Sequence, residues 1–392
     1  MRMREIYFDN AATTRPSQEV IETMVTVLKD DYGNPSSLHM KGFEAEKYIR
    51  NTTDILASLL KVEKDELIYT SGGTESNNLA IRGTAFAYHR LGKHIITTEI
   101  EHPSVQRVFQ SLEEEGFEVT YLPVDSSGYI DPDQLKEAIR KDTILVSIMH
   151  VNNEIGTVQP IEKIGKLIKT VNPNTLFHVD GIQSFGKFII PVKRWNIDLF
   201  SISAHKFYGP KGIGALYKRK DIRLKPLVFG GDQQRGMRSG TENVPGIAGL
   251  GIAAKHIYKE LNEVTQHLYH LKNALWKGIS DSIEDVYLNG PSIEEGAPHI
   301  INIMFKDIRA EVLLHALEAK KIYVSTGSAC SSNHPQPSDT LKSIGLSDDE
   351  IQGALRFSFS KYNTEDEVEE CVQALKEIVP TLRRFKRGGS KK

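Results

Sequence analysis

"TLFHVDGIQSFGKFIIPVKRWNIDLFSISAHK", residues 175–206, contains two short apolar runs, TLFHVD and DLFSIS, each ending directly in a polar cluster. The clusters are DGIQ (180–183) and SAHK (203–206). In an open α/β sheet, ligands bind outside the carboxyl ends of the strands, and this is where such clusters would fall. The same pattern recurs upstream. LIYT (67–70) leads into SGGTES (71–76), HIITT (94–98) into EH (101–102), and TILVSIM (143–149) into NNE (152–154). EVTYLPV (118–124) adds another strand, and NNLAIRGTAFAYHRLG and PSVQRVFQSLEEEG read as helices between strands. Alternating strands and helices predict an α/β domain with parallel pairing and helices on both faces. Five polar clusters would then converge on one cleft.

Beyond about residue 250 the pattern changes. AAKHIYKELNEVTQHLYHLKNALWKGI reads as a bridging helix into a smaller α+β region with short strands such as HIINIMF and IYVST. The terminal FKRGGSKK reads as a frayed basic tail. With 392 residues the chain exceeds one ordinary core. Its 49 basic and 51 acidic side chains leave no global basic field for nucleic acid. No run approaches the apolar length of a membrane span, and the N-terminus lacks the apolar core of a signal peptide. Two cysteines make no disulfide framework, and zinc-type ligand spacing is absent. A reducing cytoplasm fits this composition.

Each cluster has a bland reading beside a chemical one. SGGTES can be a capping turn, with Thr74 or Ser71 as the cap, or a phosphate cradle built on backbone amides at a helix start. It is not a P-loop, because no lysine follows at the required spacing. Asp180 is either a salt-bridged core acid or a carboxylate that holds a proton on a heterocyclic nitrogen. Lys206, just past a strand, is either solvated or an amine made nucleophilic by partial burial. His102 is a half-buried histidine in the first turn of a helix, or a ring that lies on a cofactor and moves protons. Asn153 can simply close a turn in VNNEIG. Arg356, in the period-2 segment GALRFSFS, faces solvent or grips a carboxylate through two parallel hydrogen bonds. A phosphate site, an imine-forming lysine and an acid for a ring nitrogen together describe a pyridoxal phosphate pocket.

Ten motifs in order then resemble the NifS/IscS-type cysteine desulfurases, which are class V aminotransferase-family, fold-type I pyridoxal phosphate enzymes. They are FDNAATT, GNPSS, SGGTESNN, TTEIEHPSV, NNEIGTVQP, HVDGIQS, SAHKFYGPKG, RSGTENVPG, TGSACSS and LRFSFSKYNT. The resemblance implies a large cofactor domain over 15–260, with a mostly parallel mixed sheet flanked by helices. A smaller α+β domain would combine 1–14 with 261–385, and 386–392 would be the tail. It implies that Lys206 forms the imine with the cofactor, Asp180 pairs with its ring nitrogen and Gln183 bonds its phenolic oxygen. His102 would stack on the ring, while Gly73, Thr74, Ser203 and His205 hold the phosphate. Thr241 would reach the phosphate of the neighbouring subunit of a homodimer. Asn153 would contact both cofactor and substrate, and Arg356 and Asn34 would bind substrate. The implied reaction takes sulfur from L-cysteine, releases L-alanine and leaves a persulfide on Cys330. The sulfur would pass to an acceptor protein, either an iron–sulfur scaffold or a tRNA-thiolating enzyme. A selenocysteine lyase or another class V transaminase is the alternative.

Cys330 lies in IYVSTGSACSSNHPQPSDTL (322–341), where small and turn-forming residues leave little to pack. The segment at about 325–340 therefore reads as one able to swing between the cofactor and an acceptor. An ordinary thiol, with a pKa of about 8.5, is only slightly ionised at neutral pH and needs activation. His334 is a candidate for that activation. Cys371, in TEDEVEECVQALKEIV, shares a helical face with Val368, Val372 and Leu375 and reads as core.

Overall fold

The structure is a computed structural model and describes residues 4–326 and 338–389. Cys330, His334 and most of the segment expected at about 325–340 lie outside the described residues, as do 390–392 of the basic tail; contrary to the expectation of fraying from 386, the final helix continues through Gly389.

The chain opens with β1 (Ile6–Tyr7), α1 (Gln18–Lys29) and α2 (Met40–Leu60). Strands and helices then alternate. They run β2 (Leu67–Thr70), α3 (Gly73–Tyr88), β3 (His94–Thr98), α4 (Pro103–Glu114) and β4 (Glu118–Leu122). Next come α5 (Pro132–Ala138), β5 (Thr143–Met149), α6 (Ile161–Val171) and β6 (Leu176–Asp180). β7 (Leu199–Ser203) and β8 (Gly214–Lys218) complete a seven-stranded sheet of order β2-β8-β7-β6-β5-β3-β4. The pairing is parallel except at β8, which runs antiparallel to both β2 and β7. The sheet is therefore mixed. GALYK, only eleven residues past β7, has no room for the helical crossover that a parallel neighbour needs.

The central strands are buried end to end, as a sheet covered on both faces requires. Their side chains alternate between two cores. Ile96, Val146, Phe177 and Phe200 enter one, while Ile95, Leu145, Leu176 and Leu199 enter the other with α3 and α4. α4 presents Val105, Val108, Phe109 and Leu112 to that second core at helical spacing. Gly116, at φ 83°, ends the turn beyond it.

The stretch read as one bridging helix is two, α7 (Val244–Lys259) and α8 (Leu261–Ser280), separated at Glu260. A second sheet follows from β9 (Val286–Asn289) and β10 (Ile300–Phe305). After α9 (Ala310–Glu318) come β11 (Ile322–Tyr323) and β12 (Ser325–Thr326). α10 (Asp339–Ser343), α11 (Asp348–Gln352), β13 (Ala354–Ser358) and α12 (Glu365–Gly389) complete the chain. The second sheet has the order β12-β13-β10-β9 and is antiparallel throughout. β1 pairs with β11 in parallel, so the first residues of the chain are stitched to its last third.

Candidate active site

The strands β2, β3, β5, β6 and β7 point the same way, and their carboxyl ends carry the polar clusters. Asp180 is the last residue of β6 and is 4 % exposed. Its Oδ2 accepts from Asn77 Nδ2 at 2.8 Å and its Oδ1 from the Ile182 amide at 3.0 Å. Gly181 follows because an added Cβ would stand 1.9 Å from the ring of Phe200, which is fully buried. Burial pushes the Asp180 carboxyl above its ordinary range, against the pull of its donors and of the His102 and Lys206 charges. The two hydrogen-bond donors found for it among the described residues are neutral amides. A buried acid held this way is under-compensated and suits a cationic N–H partner.

His102 caps α4, with Nδ1 accepting from the Ser104 amide at 3.1 Å and lying 2.8 Å from Ser104 Oγ. Burial and the Lys206 charge hold its pKa below the usual value, while Asp180 opposes them. The bland reading of His102 as a first-turn residue is thus correct as local structure. It also leaves Nε2 as the protonated nitrogen of the neutral ring.

Lys206 lies in the short turn after β7, and its Nζ donates to Ala11 O at 2.6 Å and Ala12 O at 2.9 Å. Gln183 Nε2 donates to the same Ala11 oxygen at 3.0 Å. His205 Nδ1 sits 3.2 Å from Thr13 Oγ1, and burial with the Lys206 and Lys211 charges brings its pKa down to about 4. Arg356 completes the ring of contacts. Its two terminal nitrogens donate to Asp9 Oδ1 and Asn153 O, each at 2.8 Å. At 5 % exposure it does not face solvent, and its Nε has no partner among the described residues. Segment 9–14 is therefore the floor of the site. It touches Arg356, Gln183, Lys206 and His205.

At α3, neither Thr74 nor Ser71 caps. The N-cap is Gly72, without a side-chain hydrogen bond and at φ 153°, a conformation reserved for glycine. Gly214 of β8 packs so closely that its Cβ would meet the Gly72 backbone at 2.8 Å. The first-turn amides are left to an anion, with Ser203 against Gly73.

Asn153 is half-buried, with its carbonyl on Arg356. The turn is closed instead by Asn152, whose Oδ1 accepts from the amides of Glu154 and Ile155. Thr241 and Asn34 are not brought to this cluster. Both are exposed and line a separate cleft of about 270 Å³ beside Tyr32 and Val244. Asn34 Oδ1 accepts from the Ser36 amide, a local turn contact.

Several residues of the site carried no role in the sequence reading. Asn77 and Ser104 lie inside quoted motifs, one helical turn or less from Gly73 and His102. Asp9 lies in FDNAATT. His299 Nε2 approaches Gln183 Oε1 at 3.2 Å, and burial holds that histidine neutral. Lys187 is buried with its Nζ on the Lys206 carbonyl at 3.0 Å, and burial brings its pKa down to about 7. Lys187 follows HVDGIQS by a few residues, whereas nothing in the sequence around His299 signals its place.

The family model for aminotransferase class-V matches residues 6–371. The chain belongs to that family. Within it, the chain is 45% identical over 380 residues to "Cysteine desulfurase IscS" of Dictyoglomus turgidum, covering 97% of this chain and 96% of that protein. It is 46% identical to "Cysteine desulfurase IscS" of Methanosarcina thermophila, covering 97% and 93% respectively. Among solved structures, a "NifS-like protein" superposes with a TM-score of 0.91 at 38% identity, covering 96% of this chain and all of that one. The NifS-like protein from Rickettsia africae gives 0.86 at 29% identity, covering 96% and 99%. Members of this class V family use pyridoxal phosphate. The buried Asp180 carboxyl, the α3 first-turn amides, the Lys206 amine and the Arg356 Nε fit that group and an amino-acid substrate.

Proposed function

We infer that the protein is a pyridoxal phosphate-dependent cysteine desulfurase, which removes sulfur from L-cysteine and releases L-alanine. The observation that carries this reading is the convergence of Lys206, Gln183, His205 and Arg356 on segment 9–14, beside a buried Asp180 at the end of β6 held by the Asn77 and Ile182 amides. Near full-length identity to proteins named cysteine desulfurase supports it. Pyridoxal phosphate, when bound, supplies an imine carbon and an electron-withdrawing ring that loosen the substrate's Cα–H and Cβ–S bonds.

The chain's own residues would divide the remaining work. Asp180 keeps a proton on the ring nitrogen, Gln183 donates to the phenolic oxygen and His102 lies over the ring. The first-turn amides at Gly73 and Thr74, with Ser203 and His205, hold the phosphate. Arg356 turns its unpartnered Nε to the substrate carboxylate, and Asn153 lies beside it. Lys206 takes the proton from Cα. Cys330 as thiolate receives the sulfur, and the resulting persulfide is handed to an acceptor protein. Thr241 would complete the phosphate site of a second copy, because its own cleft is lined by none of the cofactor residues of its protomer. A homodimer is therefore part of the reading, as is a division into 15–260 and a smaller unit of 1–14 with 261–385. A reducing compartment such as the cytoplasm would keep the Cys330 thiol free for this reaction.

The test uses the two cysteines. Cys330→Ala should abolish alanine release from L-cysteine while leaving the visible band of the bound cofactor intact, and Cys371→Ala should turn over normally. Normal desulfuration by both variants would overturn the assignment of the nucleophile. Mass spectrometry of the protein that takes labelled sulfur from Cys330 would then separate an iron–sulfur scaffold from a tRNA-thiolating enzyme.

A further inference from the structure

We propose that Asn77 is a positioning residue of this reaction, holding Asp180 as a carboxylate and, through Ser104, fixing the proton of His102 on Nε2. The proposal rests on the pyridoxal phosphate reading of the pocket and concerns residues to which that reading gives no role.

Asn77 is fully buried in the second turn of α3, and one amide nitrogen serves two acceptors. Nδ2 donates to Asp180 Oδ2 at 2.8 Å and to Ser104 Oγ at 2.9 Å. The same amide leaves its oxygen buried without a donor among the described residues. Leaving a buried carbonyl unsatisfied is costly. Turning the amide over would not recover that cost, because it would set Oδ1 against the Asp180 carboxylate and remove the donor from Ser104. The orientation is thus set by what Asn77 gives away.

Ser104 carries the effect further. Its Oγ receives the Asn77 hydrogen, so its own hydroxyl hydrogen is free to turn to His102 Nδ1, 2.8 Å away. The Ser104 backbone amide donates to the same nitrogen. Two donors on Nδ1 exclude a proton there, so the neutral ring carries it on Nε2 and an imidazolium is opposed. The charged or titratable groups facing this relay are Lys206, His102 itself and the buried Glu101, whose own pKa burial and the Asp180 charge raise.

Asn77→Ala removes one of the two donors to Asp180. The carboxylate becomes a stronger base and draws the ring proton toward itself. With the ring less positive, the nitrogen shared by Lys206 and the cofactor keeps its proton to higher pH. In the holoenzyme, the pH midpoint of the visible band should rise by about one unit, a tenfold change in proton affinity. Ser104→Ala leaves Asp180 both donors and keeps the Ser104 amide on His102, so the midpoint should move about threefold or less. Should Asn77→Ala fold poorly, the isosteric Asn77→Asp sets a second carboxyl beside Asp180 and should also raise the midpoint. Variants that lower the melting temperature while keeping the wild-type midpoint would overturn the proposal, because a purely structural Asn77 predicts that result. A wild-type chain with no visible band would overturn the pocket reading itself, and this inference with it.

Discussion

Two buried aspartates at opposite ends of the same sheet show how this molecule separates stability from chemistry. Asp198, just before β7, is fully buried and closed by charge. Lys169 Nζ reaches Oδ2 at 2.6 Å, Arg219 pairs with Oδ1, and the Phe177 amide donates to Oδ2 at 2.8 Å. Asp180, at the far end of β6, has two neutral donors. The first carboxylate is complete within the chain, whereas the second is complete only with a ligand. Burial alone does not distinguish them; the charge of their partners does.

The comparison breaks most visibly if the two positions are exchanged in kind. Asp198→Asn should cost about 3 kcal/mol, read as a lower urea midpoint, because it leaves Lys169 and Arg219 without a shared anion. The cofactor band of that variant should be unchanged. Asp180→Asn should do the reverse, lowering turnover by about 100-fold with the urea midpoint of the apoprotein held or raised. If Asp180→Asn unfolds the protein and Asp198→Asn inactivates it, the division of roles is wrong.

Glu101 is an intermediate case. Its Oε1 accepts from the Met149 amide and Thr98, while Oε2 has no partner among the described residues, and burial pushes its pKa up to about 8. A carboxyl raised in the folded state contributes stability that is full below about pH 4.5 and is lost as pH climbs through 8. Glu101→Gln should therefore flatten the stability profile across that window, with a gain of about 2 kcal/mol at pH 9 in urea titrations. The smallest effect is expected at Cys371, which is wholly enclosed by the core. Cys371→Ala should cost about 1 kcal/mol in the same measurement and leave turnover unchanged.

The sheet was legible because its strands are apolar runs ending in polar clusters, so period and position agreed at LIYT, HIITT, TILVSIM, LFHVD and LFSIS. β8 was not, since GALYK is short, ends in lysine and lies between turns. Lys206, Asp180, Gln183 and His102 could be read because each ends a strand or lies within four residues of its carboxyl end. Asp9, Asn77, Ser104 and His299 could not, because their importance comes from partners distant in the chain; Asp9 meets Arg356 across 347 positions. Arg356 shows the limit of periodicity. Alternation put it opposite Leu355 and Phe357, but the other face of β13 is buried too.

The pairing of β1 with β11 has a consequence for how the protein is made. When the ribosome has finished the seven-stranded sheet, Lys206 is in place, yet the stretch on which its amine rests still lacks the strand that anchors it. Only after Tyr323 and Arg356 emerge can residues 6–9 dock, so the pocket closes as a late, long-range event in folding. Truncated nascent chains would carry the reactive lysine on an unfinished floor.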